Sequence, residues 1–319
     1  MDQNIGFIGL GNMGYPMAMN VRKKMPPSDT LYVYDVNEKV CDKFKEEFGG
    51  PNSRIEISKT IPDMVANAST IISMVPSPEN VRQVYLDEKS GVAAAKGKAS
   101  AEHDAQRLYC ECSTIDIDTT RDVGKRIGEM GMGTYIDTPV SGGPGFAQTG
   151  TLSLMCGISE SSPAAKRVDT IVKYMGGASK IFYCGSLGLG LAGKLSNNYI
   201  SCCINQLNAE AMAFGIKLGL DKNLLYNIIM ASSGRNWMLE RKSPVGGVID
   251  SPSDHDYVPG FRVPLALKDV SLGVKASKAV GIKPSIGEAV VEIHSAMDAD
   301  KNYKDLDHSA VYRYLGGPE

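Results

Sequence analysis

Three glycines near the start of the chain have the spacing of a phosphate-binding turn. Gly9, Gly11 and Gly14 form a G-x-G-x-x-G pattern between a short apolar run and a segment with helical periodicity. We expect Gly9 to permit a tight turn, Gly11 to let the backbone approach a pyrophosphate, and Gly14 to let the helix pack on the strand. The same turn contains three further predicted cofactor-binding residues, Leu10, Asn12 and Met13. A glycine turn that binds no nucleotide is the alternative.

An acidic residue follows the second predicted strand at the position expected for ribose binding. This strand spans residues 30–34 and ends at Asp35, 21 residues after Gly14. A carboxylate at this position accepts hydrogen bonds from a ribose and repels a 2′-phosphate. The glycine pattern and Asp35 together predict a dinucleotide site and favour NAD over NADP as the cofactor.

A lysine and an asparagine could take part in proton transfer beside that cofactor. Lys194 and Asn198 lie four residues apart near the start of a long predicted helix, 191–218, and so share one face. A lysine there could exchange a proton with a substrate oxygen while a hydride moves to or from nicotinamide. Its pKa would have to fall from the usual value of about 10.4, which burial and a cationic nicotinamide would favour. A surface lysine without a catalytic role is the alternative.

Loops after two further predicted strands lie where ligands collect in doubly wound sheets. The strands span residues 70–75 and 108–112, and such loops follow the carboxyl ends of parallel strands. Plain turns and helix caps would have the same composition, so cofactor binding is one of two interpretations of these residues. The cofactor-side candidates are Val75, Pro76, Asn80 and Thr114.

A glycine-rich segment after the next predicted strand, 135–140, suits a carboxylate group. It contains Ser141, Gly142 and Gly143, followed by Pro144 and Gly145. Glycine this dense exposes backbone N–H groups, which commonly bind carboxylates.

These residues require a doubly wound sheet followed by a helical domain. Strands alternate with helices up to residue 187, which predicts an α/β Rossmann-type domain, 1–187, that binds NAD. Closing strands are predicted at 152–156 and 181–184, around a helix at 163–175 with Ser162 as its N-cap. Residues 188–319 predict an all-α substrate and dimerisation domain, joined by the long bridging helix. Its other helices are predicted at 222–231, 265–280, 286–297 and 308–314.

Composition limits the partners that we expect. The chain has 319 residues, 43% hydrophobic and 22% charged, with a net charge of −2, which gives no reason to expect nucleic acid or membrane binding. Seven cysteines lack metal-ligand spacing, so no metal is predicted and a reducing compartment is favoured. We find no targeting segment and expect a cytoplasmic protein, or a mitochondrial one if a presequence was removed. Residues 96–106 predict a surface insertion without chemistry.

Six sequence blocks together resemble the β-hydroxyacid dehydrogenase family, and within it the 3-hydroxyisobutyrate dehydrogenases. The blocks span 6–14, 112–116, 137–143, 193–198, 232–237 and 268–269. The resemblance covers nearly the whole chain and implies that Lys194 is the catalytic lysine. It implies substrate binding by Asn198, Trp237 and the segment from Ser141 to Gly143. It also implies cofactor contacts at Val75, Pro76, Asn80, Thr114 and Lys268.

The resemblance implies NAD-dependent oxidation of a short 3-hydroxy acid by a homodimer or homotetramer. The expected reaction converts 3-hydroxyisobutyrate to methylmalonate semialdehyde, a step of valine catabolism, with lysine as general acid and base. Three departures, Phe146 for alanine, Asn236 for cysteine and 238–240 for a small polar run, could change which C2 substituent fits. An NADPH-dependent semialdehyde or imine reductase, which Asp35 and Lys194 oppose, and a non-catalytic scaffold are the alternatives.

Overall fold

Short apolar runs in the N-terminal part of the chain form a parallel sheet. In the computed structural model, which describes residues 4–98 and 100–318, the contacts divide the chain after Lys194 into two units. The strands of the first sheet are β1 (Ile5–Ile8), β2 (Leu31–Tyr34), β3 (Ile55–Ile57), β4 (Thr70–Ser73), β5 (Leu108–Glu111) and β6 (Thr134–Asp137). Their order, β3-β2-β1-β4-β5-β6, is the doubly wound arrangement, with the strand order reversing at β1 and β4.

Helices bury both faces of this sheet. Successive residues of a strand point to opposite faces, and Ile71 and Ile72 of β4 accordingly lie in two different apolar cores. Both side chains are fully buried, as expected for a parallel sheet covered on both sides. The helices are α1 (Gly14–Lys24), α2 (Glu38–Phe48), α3 (Ile61–Asn67), α4 (Pro78–Leu86), α5 (Ala101–Ala105) and α6 (Ile117–Glu129).

A second, smaller sheet follows β6 and corrects two details of the predicted elements. Its strands are β7 (Val140–Ser141), β8 (Leu152–Cys156) and β9 (Gly176–Tyr183), with α7 (Gly143–Thr149) and α8 (Ala165–Met175) between them. The predicted strand 135–140 is interrupted, because Pro139 has no N–H to continue a ladder. The predicted N-cap at Ser162 is wrong, because its carbonyl and hydroxyl accept from Ala165 and Ala164 in a turn that precedes α8.

Beyond β9 the described chain is helical. Helix α9 (Leu189–Lys217) has 29 residues and continues from the first unit into the second. The second unit also contains α10 (Lys222–Met230), α11 (Trp237–Arg241), α12 (Val263–Ala279), α13 (Ser285–Ala299) and α14 (Val311–Tyr314). The predicted Rossmann-type sheet followed by a helical domain is confirmed. Among the described residues, no helix is both long enough and apolar enough to span a membrane.

The segment 96–106 is more firmly anchored than its polar composition indicates. It contains α5, and the Asp104 carboxylate is buried against the guanidinium of Arg107 in an ion pair. Ala99 lies outside the described residues. Apart from Asp104, the described residues of the segment are exposed, as predicted for a surface insertion. Asp104 joins the segment to Arg107, which follows it, and removing one partner of this buried pair would cost stability.

Candidate functional site

The three motif glycines have three different steric environments. A Cβ on Gly9, which has φ +91°, would overlap the carbonyl oxygen of Met74, and a Cβ on Gly14 would overlap the carbonyl oxygen of Gly9. Gly11 is exposed, and a Cβ there would meet no described protein atom within 4 Å. The fold therefore explains Gly9 and Gly14, whereas open space beside the Gly11 backbone fits the approach of a pyrophosphate.

This difference predicts opposite effects for two alanine substitutions. Gly11→Ala should leave the melting temperature unchanged and weaken cofactor binding by about tenfold or more, because the methyl group occupies the space that the phosphates need. Gly14→Ala should lower the melting temperature, because its methyl group meets a backbone oxygen. Thermal unfolding and cofactor titration of both variants would check this. A large loss of stability in Gly11→Ala would contradict it.

Asp35 fixes the glycine turn and retains capacity for a ligand. One carboxylate oxygen accepts from the backbone N–H of Leu10 at 2.7 Å, and the other accepts from Asn37 at 2.8 Å. Each carboxylate oxygen can accept two hydrogen bonds, so two positions remain for ribose hydroxyls. The residue after it, Val36, is 91% exposed and apolar. The arrangement fits the hydroxyls of a ribose at the end of β2.

The loops after β4 and β5 meet at the same edge of the sheet. Ile8 pairs with Ser73 and Ser73 pairs with Glu111, so the residues that follow these strands lie side by side. The Val75 N–H donates to the Ser113 hydroxyl at 2.8 Å, which joins the two loops. Val75 and Thr114 are half-buried and Pro76 is exposed, while Asn80 lies in the first turn of α4 behind the cap of Ser77.

The predicted carboxylate segment adopts a conformation that suits glycine. Gly142 follows β7 with a φ of +134°, and Gly143 begins α7 with a φ of +74°. A Cβ on Gly142 would be 2.7 Å from the Cβ of Phe146, whereas Gly143 faces open space. Phe146 therefore packs directly against the segment, and 40% of the residue's surface is exposed.

Asp137 holds the start of the helix that carries Lys194. It is fully buried at the end of β6, and its carboxylate accepts from the backbone N–H groups of Gly188 at 2.8 Å and Leu191 at 2.7 Å. Such first-turn donors have no partner within a helix, and a negative charge is favourable there. Burial raises the pKa of the Asp137 carboxyl, while these two N–H groups oppose the rise. Lys194, one turn beyond Leu191, is buried with 7% of its surface exposed.

In the second unit, Asn198 has an acidic partner. Its amide donates to Asp269 at 2.6 Å, and both side chains are buried. Lys268 Nζ lies 3.4 Å from the other oxygen of Asp269. Asp269 orients the Asn198 amide so that its oxygen points away from the acid, a role that the sequence analysis missed although it noted the Lys268–Asp269 pair.

The segment 236–240 divides into a cap, an exposed ring and buried residues. Asn236 caps α11 by accepting from the Leu239 N–H, and its amide exchanges hydrogen bonds with that of Asn208. Trp237 is 58% exposed, whereas Met238 and Leu239 are buried. Trp237 is thus the residue of this segment that is free to contact a ligand.

The described residues contain no cluster of three or more metal-ligating side chains. The site instead consists of backbone N–H groups, hydroxyls, carboxylates and a buried lysine. These groups can bind a dinucleotide and exchange a proton.

Comparison with known proteins identifies the family. Residues 4–190 match the family model described as the NAD binding domain of 6-phosphogluconate dehydrogenase. Residues 188–315 match the model described as NAD-binding of NADP-dependent 3-hydroxyisobutyrate dehydrogenase. The mitochondrial 3-hydroxyisobutyrate dehydrogenase of Rattus norvegicus is 36% identical, over 98% of this chain and 86% of that protein. The chain belongs to the β-hydroxyacid dehydrogenase family.

Two further members of that family match from end to end. The 3-hydroxyisobutyrate dehydrogenase of Pseudomonas aeruginosa is 32% identical over 99% of both chains. The structure of Mycobacterium tuberculosis 3-hydroxyisobutyrate dehydrogenase with L-serine has a TM-score of 0.85 and 31% identity, over 99% of each chain. This β-hydroxyacid dehydrogenase is therefore an oxidoreductase that acts on the CH–OH group of a hydroxy acid and contains NAD(P)-binding domains.

Proposed function

We propose that this β-hydroxyacid dehydrogenase oxidises 3-hydroxyisobutyrate to methylmalonate semialdehyde with NAD, a step of valine catabolism. The observation that supports this most is Lys194, a buried lysine on a helix whose first turn is held by Asp137. The names of the full-length relatives support the choice of substrate.

We further propose a role for each group of the site. Bound NAD supplies the hydride acceptor. Lys194 takes the proton of the substrate hydroxyl as the carbon–hydrogen bond breaks and the aldehyde forms. The backbone at Ser141, Gly142 and Gly143 binds the carboxylate, and Asn198 and Trp237 orient the rest of the substrate. Residues 1–187 are the proposed NAD-binding domain, with Val75, Pro76, Asn80 and Thr114 as cofactor contacts. Lys268 of the helical domain, 188–319, is a further proposed cofactor contact.

The preference for NAD rests on charge. A 2′-phosphate beside the Asp35 carboxylate would place like charges together, which costs several kcal/mol where water is excluded. The sequence after it, Val36-Asn37-Glu38, offers no arginine to offset that repulsion. The description of one matching family model names NADP, so NADP is the second candidate.

A substrate panel tests the proposal. Purified protein is mixed with short 3-hydroxy acids and either NAD or NADP, and the reduced nicotinamide is followed by absorbance. We expect the highest kcat/KM for 3-hydroxyisobutyrate with NAD. Activity with another acid alone would change the substrate that we assign and implicate Phe146 in substrate selection. A preference for NADPH in the reverse direction would favour a semialdehyde reductase. Cofactor binding without turnover of any acid would favour a scaffold protein.

We propose that the enzyme is a homo-oligomer, and an apolar seam on α9 supports this. The seam consists of Ile200, Leu207 and Phe214, which are seven residues apart and each more than half exposed. Leu218 continues it and is 82% exposed. Large apolar residues at a seven-residue spacing are typical of helices that pack against a second helix, and monomers rarely expose such a continuous row. A second copy of this chain is the partner that we propose.

A charge within the seam should dissociate the oligomer. We expect Leu207→Glu to halve the mass of a dimer in sedimentation experiments, because a carboxylate in an apolar interface is desolvated. Val280→Glu is the control, since Val280 is 76% exposed and lies after α12, outside the seam. An unchanged mass for Leu207→Glu would exclude this interface.

We also propose a cytoplasmic location. All seven cysteines are free thiols and six are buried, which suits a reducing compartment. Cell fractionation that places the protein in an organelle would overturn this.

A further inference from the structure

A buried network of side chains connects the two loops at the reversal point of the sheet. Glu111, the last residue of β5, has no exposed surface. One of its carboxylate oxygens accepts from the Ser113 N–H at 2.7 Å, and the other accepts a short hydrogen bond from the Ser73 hydroxyl. Ser73 also pairs with the Tyr85 hydroxyl at 2.6 Å. Since Ser113 accepts from the Val75 N–H, Glu111 is linked to both loops.

The number of protons in this network fits an ionised carboxylate. Two contacts, from Tyr85 to Ser73 and from Ser73 to Glu111, are filled by the two hydroxyl protons when Glu111 is charged. A neutral Glu111 adds a third proton for the same two contacts. Within the described part of the chain, that extra proton has no acceptor, and a buried donor without a partner weakens the arrangement.

We propose that ionised Glu111 is a positioning residue for the cofactor. Glu111 holds the loops at Val75 and Ser113 at the spacing that the nicotinamide half of the cofactor requires. This rests on the proposed cofactor contacts at Val75, Pro76 and Thr114. Glu111 is fully buried beneath the loops, so it acts through them and not by direct contact with the cofactor. Its effect is on the backbone N–H and side chains that these loops present.

The charge of Glu111 changes near neutral pH. Burial raises the pKa of its carboxyl to about 7, while hydrogen bonds from Ser113 and Ser73 oppose the rise. The negative charge of Asp137 on β6 raises this pKa further. The other titratable neighbours are Tyr85 of α4, Tyr135 of β6, and Cys110 and Cys112 of β5 and its end. Cofactor binding should therefore weaken as the pH falls through about 7.

Glu111→Gln tests the proposal because glutamine has the shape and the zero charge of the protonated acid. We would measure the dissociation constants for NAD and NADP between about pH 5.5 and about pH 8.5. At the alkaline end we expect binding to Glu111→Gln to be about tenfold weaker than to the wild type, and at the acidic end the two should agree. The variant should thus lose the pH dependence. These titrations need no substrate, so they remain valid if the proposed substrate is wrong.

Two further variants separate positioning from general loss of stability. Asp307→Asn removes another buried carboxylate that accepts backbone N–H groups, those of Gly260 and Phe261, in the second unit. It should lower the melting temperature and leave the cofactor constants within about twofold. Ser113→Ala removes the acceptor for Val75 but keeps Glu111, so it should weaken binding and still show a pH dependence. The midpoint of that dependence should lie at higher pH than in the wild type, because the Ser113 hydroxyl no longer opposes the rise of the Glu111 pKa. Ser113→Ala also provides the test if Glu111→Gln does not fold.

Parallel pH curves for the wild type and Glu111→Gln would overturn the proposal. An equal loss of cofactor affinity in Asp307→Asn would also overturn the proposal, because the weaker binding of Glu111→Gln could then be explained by lower stability alone. For Ser113→Ala, unchanged affinity would show that the joined loops do not matter for the cofactor.

Discussion

Lys194→Ala should lower kcat for hydroxy-acid oxidation by about two to four orders of magnitude, the usual contribution of a general acid or base. The substrate hydroxyl must lose its proton as the hydride leaves, and alanine offers no acceptor for it. The dissociation constant for NAD should stay within about twofold, because binding rests on the glycine turn and the strand ends. Steady-state kinetics and cofactor titration would measure both quantities.

Two companion variants sharpen this experiment. Lys194→Arg keeps a positive charge but cannot lose a proton at ordinary pH, so its kcat should be nearly as low as that of the alanine variant. Lys217→Ala removes an exposed lysine from the last turn of the same helix and should be fully active. Near-normal turnover in Lys194→Ala would reject lysine catalysis, while full activity in Lys194→Arg would assign the residue an electrostatic role only.

Asp35→Asn should raise the preference for NADP relative to NAD by about a hundredfold, which corresponds to about 2.7 kcal/mol. The amide removes the repulsion of a 2′-phosphate and keeps an oxygen that can accept from the Leu10 N–H. Competition between the two cofactors, measured as the ratio of their kcat/KM values, reports this change directly. The wild type should favour NAD strongly.

The matched control is Glu38→Gln, which removes a charge from the exposed first turn of α2, three residues away. Its cofactor ratio should change by less than about threefold, since water and salt screen an exposed charge. If Asp35→Asn leaves the ratio unchanged, or if Glu38→Gln changes it equally, Asp35 does not select the cofactor.

The sequence predicted those parts of the fold that depend on local pattern. The strand ends at Gly9 and Asp35 followed from short apolar runs and glycine spacing, which act over few residues. Ser162 was misassigned because a serine before proline suits either a cap or a turn, and only tertiary packing decides between them. The roles of the catalytic and binding residues remain predictions.

The buried carboxylates could not be placed from sequence, because their partners are distant in the chain. Glu111 accepts from Ser73, 38 residues earlier, and Asp137 accepts from Leu191, 54 residues later. One pattern could have drawn attention to them. Both are buried at the end of an apolar strand of the parallel sheet, Glu111 on β5 and Asp137 on the edge strand β6, where an acid must find hydrogen-bond donors. Likewise, α9 is apolar on several sides, so its exposed seam and its buried face cannot be distinguished from composition.

The anchoring of α9 by Asp137 has a consequence for hydrogen exchange. Amides in the first turn of a helix normally exchange rapidly with solvent, because they lack partners and the end frays. The amides of Gly188 and Leu191 instead donate to a buried carboxylate and should exchange slowly. A helix end that does not fray restricts the motion of the backbone one turn later, at Lys194. The reacting amine would then enter each catalytic cycle with little orientational entropy left to lose.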